Sequence, residues 1–435
     1  MMVRPMVEYI IDKIKHMGFE GEVFASEGYR TSVDMRQKNV EKAQKVSSKG
    51  YGIRLYKDRK MGFAYSNDWS KDGIDKALQM AKGTWELSDE MPEIKFPGGY
   101  HVREDEREEE ESDIKDILLK LEDKLYTDSR VFTDNSSVVQ SCSRFVVMNT
   151  AGGLVDWWES MSYLMAWVLL RGKKGMNGSF AFTFGKKASE LDIDSVVSRA
   201  IARAESSLDG ERLSVSDVPV VFDTYEFAMI FLSAIGQFDG EAVGRGKSYL
   251  AGKKDQRIAD YGFYLIDGPE HPDLPFKIPF DHEGMPVQKK ELLSSGVVRS
   301  FMYDLKSAAE FGAVSTGNGF RHSWASLPSV SPAITYIEIK GKKPLSDLDK
   351  YFLVTSVKGV HSGFSPISGT MSVGVDGVFI DGDKRIPVQG VTVSGNFWEM
   401  LGRIAAADSD VEFLTMGSGV FGAPKVAFEG LKITG

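Results

Sequence analysis

Between Ser136 and Phe184 apolar and polar residues alternate at a short period, and Gly152, Gly153, Gly172 and Gly175 interrupt the alternation. A period of two sends successive side chains to opposite faces of a strand, and glycines suit the reversals between strands. This stretch is therefore expected to form consecutive antiparallel strands, so the rest of the chain must supply the elements that cover a sheet. The longest apolar run, Tyr163 to Leu170, lies inside it. It is far shorter than the ~20 residues of a membrane-spanning helix and reads as a buried strand, halted by Arg171, Gly172, Lys173 and Lys174.

Helical spacing occurs in blocks around this stretch. Val7, Ile10, Ile11 and Ile14 share one face of an opening helix, and Ile74, Ala77, Leu78 and Ala81 share a face of a second, from Ser70 to Lys82. Two more helices are expected over Asp113–Tyr126 and Ile193–Ser207. Glu22–Ala25, Thr31–Met35 and Tyr51–Tyr56 read as strands, and Lys57-Asp58-Arg59-Lys60 as a turn leading to a hairpin partner, Met61–Tyr65. Met91 to Ser112 reads as a connector, with Pro92, Pro97, Gly98 and Gly99 followed by a run in which seven of nine residues from Arg103 to Glu111 are acidic. Beyond Val218 strands and glycine turns dominate, apart from helical segments near Thr224–Ile235 and Asn396–Ala407. The fold class expected for the 435 residues is α+β. Its parts are an N-terminal α+β unit at 1–100, a middle α+β region at 101–212 and a β-rich C-terminal domain at 213–435.

Charge and cysteine content narrow the function. With 53 basic against 62 acidic residues the net charge is −9, which repels a phosphate backbone over most of the surface and argues against direct nucleic-acid binding. The single cysteine, Cys142, makes no internal disulfide and builds no thiolate-rich metal site alone, as suits a reducing compartment. Arg4, Glu8, Asp12 and Lys13 interrupt the N-terminal apolar residues, so no secretory signal is read there. A cytoplasmic protein without a membrane span is expected.

Several short motifs fail on their spacing. Gly417-Ser418-Gly419-Val420-Phe421-Gly422 has the glycines of a dinucleotide loop, but the 13 residues after it leave no room for a crossover helix and a ribose-binding acid. Gly240 precedes Gly246-Lys247-Ser248 by five intervening residues, where a phosphate loop needs four. The six histidines are His16, His101, His271, His282, His322 and His361, and only His282 is followed by glutamate. A zinc-binding pair needs a second imidazole one helical turn on, and the residues there are Pro286 and Val287. His282-Glu283 therefore reads as a turn pair. No Gly-X-Ser-X-Gly elbow occurs, and Cys142, between Ser141 and Ser143, reads as structural.

Longer segments carry a resemblance. Gly50-Tyr51-Gly52-Ile53-Arg54-Leu55-Tyr56 with Lys60-Met61-Gly62-Phe63-Ala64 is similar to the glycine-flanked hairpin of the TldD/PmbA family, also known as modulators of DNA gyrase. Asp281-His282-Glu283-Gly284-Met285-Pro286, continuing through Gly296-Val297-Val298 to Tyr303-Asp304, resembles another family segment. So does the run from Gly359-Val360-His361-Ser362-Gly363 through Ser368-Gly369 to Val393-Ser394-Gly395-Asn396.

The resemblance implies two kinds of subunit. TldD-type chains resemble metalloproteases, with His-Glu-X-X-X-His on a helix and a cysteine near the C-terminus. PmbA (TldE) chains lack these ligands and pair with TldD. Here the metal helix corresponds to Ser233–Phe238 and the cysteine region to Met416–Gly422, and neither holds histidine or cysteine. A hydroxyl and a phenyl ring do not replace two imidazoles. The resemblance thus implies a PmbA/TldE-like, non-catalytic partner of a TldD-type metalloprotease, with no metal or cofactor of its own. Its implied partners are a TldD-like subunit or a second copy of itself, and its substrate an extended or unfolded peptide. Two alternatives stay open. One is a divergent hydrolase drawing on Asp281, His282, Glu283, His322 and His361; the other is a regulatory binding protein acting on DNA gyrase.

Overall fold

The computed structural model describes residues 3–99, 101–103, 114–416 and 419–435. Most of the acidic run, from 104 to 111, lies outside the described residues. Helix α1 (Val3–His16) buries Val3, Val7, Ile10, Ile11 and Ile14 on the stripe expected from their spacing. Strands β1 (Glu20–Arg36), β2 (Asn39–Lys57) and β3 (Lys60–Ser66) follow as an antiparallel meander. Both of its turns are two residues long and keep φ positive at both positions, 49° and 62° at Gln37-Lys38 and 51° and 58° at Asp58-Arg59, the twist that suits a tight hairpin. Neither turn contains glycine. The first is held instead by side chains of the middle region: Thr133 accepts from the Gln37 amide at 2.9 Å, and Glu122 accepts from that of Lys38. Helix α2 (Lys71–Leu87) starts at Ser70, whose hydroxyl accepts from the Gly73 amide at 3.0 Å.

The middle region adds β4 (His101–Arg103), α3 (Ile114–Leu125), β5 (Val131–Asn149), β6 (Leu154–Arg171), β7 (Met176–Gly185) and α4 (Ile193–Ser206). β5, β6 and β7 are consecutive and antiparallel, as the alternation requires. They do not make a separate sheet. β5 pairs with β1 along most of its length, giving the order β3-β2-β1-β5-β6-β4, with β7 beside the far half of β6. One sheet thus serves two cores, the first under α1 and α2 and the second under α3 and α4.

The remaining chain contains β8 (Val220–Phe222), α5 (Thr224–Ala234), α6 (Gly240–Gly244), β9 (Phe263–Gly268), β10 (Lys290–Ser294), β11 (Val297–Val298) and α7 (Leu305–Phe311). It continues with β12 (Gly319–Phe320), β13 (Ser329–Val330), β14 (Ile334–Ile339), β15 (Lys350–Lys358), α8 (Val360–Gly363), β16 (Thr370–Asp381) and β17 (Lys384–Asn396). The last elements are α9 (Phe397–Met400), β18 (Ile404–Ala407), β19 (Glu412–Met416), β20 (Gly419–Ala423), β21 (Val426–Phe428) and β22 (Lys432–Thr434). Two larger sheets form, ordered β11-β10-β9-β14-β20-β19 and β18-β21-β8-β15-β16-β17-β22. The apolar α5 packs within the core they share, where Phe231 meets Phe263, Phe397 and Phe421 at centroid distances of 5.5–5.9 Å.

Three local expectations change. Glu22–Ala25 and Thr31–Met35 are parts of the single strand β1. Tyr163–Leu170 is buried on one face only: Leu164, Ala166, Val168 and Leu170 face the second core, while Trp167 on the other face stays 39% exposed. An apolar run on a half-covered strand looks like a fully buried one when only hydrophobicity is read. Asn396–Ala407 is a helix for one turn only, Phe397–Met400. Gly402 follows, and pairing with β21 draws Ile404–Ala407 into a strand against the helical preference of its alanines.

Candidate functional site

The sequence candidates Asp281, His282 and Glu283 sit where the C-terminal domain meets the first sheet. Asp281 lies in a tight turn and its carboxylate accepts from the amides of Glu283, Met285 and Gly319 at 2.8–2.9 Å. Glu283 reaches the Arg54 guanidinium on β2 at 2.8 Å, and Arg54 also donates to Glu22 on β1 at 2.8 Å. Arg321 donates to the other oxygen of Glu22. All four side chains are at most 2% exposed. Gly319 is required here, because a Cβ at that position would lie 2.4 Å from a Glu283 carboxylate oxygen. Gly50, noted above in the hairpin segment, has a similar role: its bare backbone lets the Trp324 indole approach to where a Cβ would stand 2.4 Å away.

Electrostatics mark this joint as closed. Burial raises the Glu283 pKa to about 7, opposed by Arg54, and burial followed by Glu283 raises that of Asp281. Burial, then Arg321, pushes His282 down to about 3. Its imidazole is therefore neutral, accepts from the Arg321 amide at 2.9 Å and packs among the rings of Phe24, Phe145 and Phe320 at 4.8–5.3 Å. His361 is elsewhere, exposed on α8, and His322 is exposed in the loop after β12. The structure thus brings together Asp281, His282 and Glu283, sealed from solvent, and separates them from His361.

A second region between the same domains is open. A cavity of about 430 Å³ is lined by residues 180–184 of β7 and by residues 411–414 in and before β19. Side chains alternate along a strand, so a cavity that meets consecutive residues meets the strand at its edge. Among the described residues β19 ends its sheet and β7 pairs only with β6, so two strand edges without a further strand border the space, and Arg199 of α4 donates to the Phe182 carbonyl of β7. Phe180, Phe182, Tyr225, Phe413 and Leu414 supply apolar walls. Arg203 of α4 braces them, donating to Asp223 at 2.9 Å, to Glu226 and to the Thr355 carbonyl at 3.0 Å, with its guanidinium 5.7 Å from the Phe180 ring and 5.5 Å from that of Tyr225. Glu226 is buried, which raises its pKa to about 7 against the pull of Arg203. A second cavity of about 450 Å³ continues past Pro275 and Thr415 and is walled by Trp157, Trp158, Phe276 and Ile278. None of the sequence candidates lines either space. The available signal was Phe180, Phe182 and Phe184, three aromatics at a period of two on the face of β7 turned away from the second core.

The segments that the resemblance matches to the zinc helix and its cysteine lie at the end of α5 and in β20, and Gly419 and Val420 of the second line the adjoining cavity. Ser233, on the last turn of α5, is exposed and its hydroxyl donates to the Met229 carbonyl at 3.0 Å. Phe238 ends a 3-10 turn and is fully buried. Across from α5, Phe421 of β20 stacks on Phe231 at 5.7 Å. Among the described residues no three His, Cys, Asp or Glu side chains come together to hold an ion. A hydroxyl tied to its own helix, a core phenyl ring and an aromatic stack do not fit a zinc ion, so no step is assigned to one in this chain.

Comparison with known proteins agrees with this architecture. Residues 21–83, 104–208 and 215–435 match, respectively, domain 1, the central domain and the C-terminal domain of the PmbA/TldA metallopeptidases. An uncharacterized protein of Methanocaldococcus jannaschii is 29% identical over 95% of this chain and 96% of its own. A metalloprotease PmbA homolog of Haemophilus influenzae is 23% identical over 94% and 92%. The crystal structure of TldE from Thermococcus kodakarensis superposes with a TM-score of 0.88 at 22% identity, covering 99% of this chain and 100% of that one. Metalloprotease TldD homologs match as well, at 23–25% identity. Among the described residues no helix is long and apolar enough to cross a membrane. By sequence, domain order and fold, the chain belongs to the PmbA/TldD family of metallopeptidase-like proteins.

Proposed function

We propose that this chain is a PmbA/TldE-like partner subunit of a TldD-type metalloprotease in the cytoplasm, and that it holds unfolded polypeptide without cleaving it. The observation that carries this reading is the groove between β7 and β19, where two strand edges flank a space of about 430 Å³. An extended peptide satisfies such an edge by adding a strand, its backbone giving affinity and the flanking pockets selectivity. Hydrolysis then belongs to the partner, because the resemblance matches Ser233 and Phe238 to zinc-binding imidazoles and neither side chain binds zinc. The single cysteine suits a reducing compartment.

Co-expression with a TldD-like chain tests the proposal. Degradation of an unstructured peptide should require both chains, and each alone should be inactive. Equal activity of the TldD-like chain without this one would refute the partnership.

A further inference from the structure

We propose that the cavity between β7 and β19 is an anchor site for a large aromatic or aliphatic side chain, so that the chain selects apolar stretches of unfolded polypeptide over polar ones. The inference rests on the peptide-holding role proposed above and adds a substrate preference to it.

The walls carry the first part of the argument. Phe180 and Phe182 come from β7, Tyr225 from α5, and Phe413 and Leu414 from β19, so an inserted side chain meets apolar surface from three elements. The space of about 430 Å³ is ample for one large side chain. The charges that line the cavity carry the second part. Arg203 is held by Asp223 and Glu226, Lys425 lies 3.4 Å from Asp223, and Arg199 lies 3.6 Å from Glu412. An ionic side chain entering here would lose its hydration and would have to compete with pairs already made. An apolar one gives up no hydration of its own. The adjoining cavity, with Trp157, Trp158, Phe276 and Ile278, extends the same chemistry along the groove, and Phe184 and Phe276 meet between the two at 6.0 Å. The occupant that fits is thus an extended segment bearing large apolar residues, as exposed when a protein unfolds.

The test uses the full chain and fluorescent unstructured peptides that differ only at one central residue, Phe, Leu, Ser or Asp, with binding followed by anisotropy. The Phe and Leu peptides are expected to bind about tenfold more tightly than the Ser and Asp peptides. Ala202 lines the cavity from the exposed side of α4, so Ala202→Phe should fill it and abolish the preference while leaving the melting temperature unchanged. Phe182→Ala, which removes a wall instead, should weaken the Phe peptide selectively. Equal affinities for all four peptides overturn the anchor and leave the groove standing. No binding of any peptide, to the chain alone or mixed with a TldD-like chain, overturns the groove and the anchor with it. Self-association that Ala202→Phe removes would assign the space to a second copy and also overturn the proposal.

Discussion

Two of the contacts between the N-terminal sheet and the C-terminal domain are opposites. The joint around Glu22, Arg54, Glu283 and Arg321 holds the most reactive-looking residues of the chain, yet it is closed to solvent and its hydrogen bonds point inward. The groove between β7 and β19 holds charges already paired with one another among aromatic walls, and it is open and bordered by strand edges. Titratable residues mark a catalytic site only where a substrate can reach them. In the joint they hold domains together; in the groove, aromatic walls and strand edges leave room for the peptide proposed above.

Breaking the joint should have the largest effect. Arg54→Met leaves Glu22 and Glu283 facing each other in a buried site and should cost about 3–5 kcal/mol, read from urea or thermal unfolding. A loss below about 1 kcal/mol would mean that water reaches the joint and that the contrast with the groove is false.

The brace under the groove should be sensitive to pH. Folding raises Glu226 from 4.5 to about 7 and so favours its protonated form. Its contribution is complete below pH 4.5 and is lost as the pH rises through about 7, amounting to at most about 3 kcal/mol. Stability should therefore fall between about pH 4.5 and 7, and Glu226→Gln should flatten that part of the slope. A slope identical to that of the parent chain would remove Glu226 from the account.

Crowding at the joint gives a somewhat smaller effect. Gly50→Val should cost about 1–3 kcal/mol by driving a side chain into Trp324, and Trp324→Ala should recover much of it. Additive losses in the double variant would show that the two residues do not press on each other. Smallest of all, His361→Ala should change stability by less than about 0.5 kcal/mol and leave peptide binding unaltered, since His361 is exposed and away from both regions. A loss of binding in that variant would extend the site to α8.

Local features were legible in the sequence because they repeat over short distances. The stripe of Val7, Ile10, Ile11 and Ile14, the Ser70 cap and the turn at Asp58-Arg59 each depend on neighbours within a few residues. The resemblance pointed to Ser233–Phe238 and Met416–Gly422, segments far apart in sequence, and Phe421 of the second stacks on Phe231 just before the first. The joint was not legible, since Arg321 meets Glu22 across 299 positions and nothing near either residue announces the other. For the same reason Asp281, His282 and Glu283 suggested chemistry, although their burial makes them part of the framework. The groove was hidden more deeply still, because it consists of two edges from different sheets and exists only once the domains have docked.

Hydrogen–deuterium exchange of the full chain, with and without a saturating unstructured peptide rich in phenylalanine and leucine, tests the central claim most directly. The amides of residues 180–184 and 411–415 should become protected while those of 281–283 remain unchanged. Protection confined to the joint, with β7 and β19 exchanging as before, would contradict it.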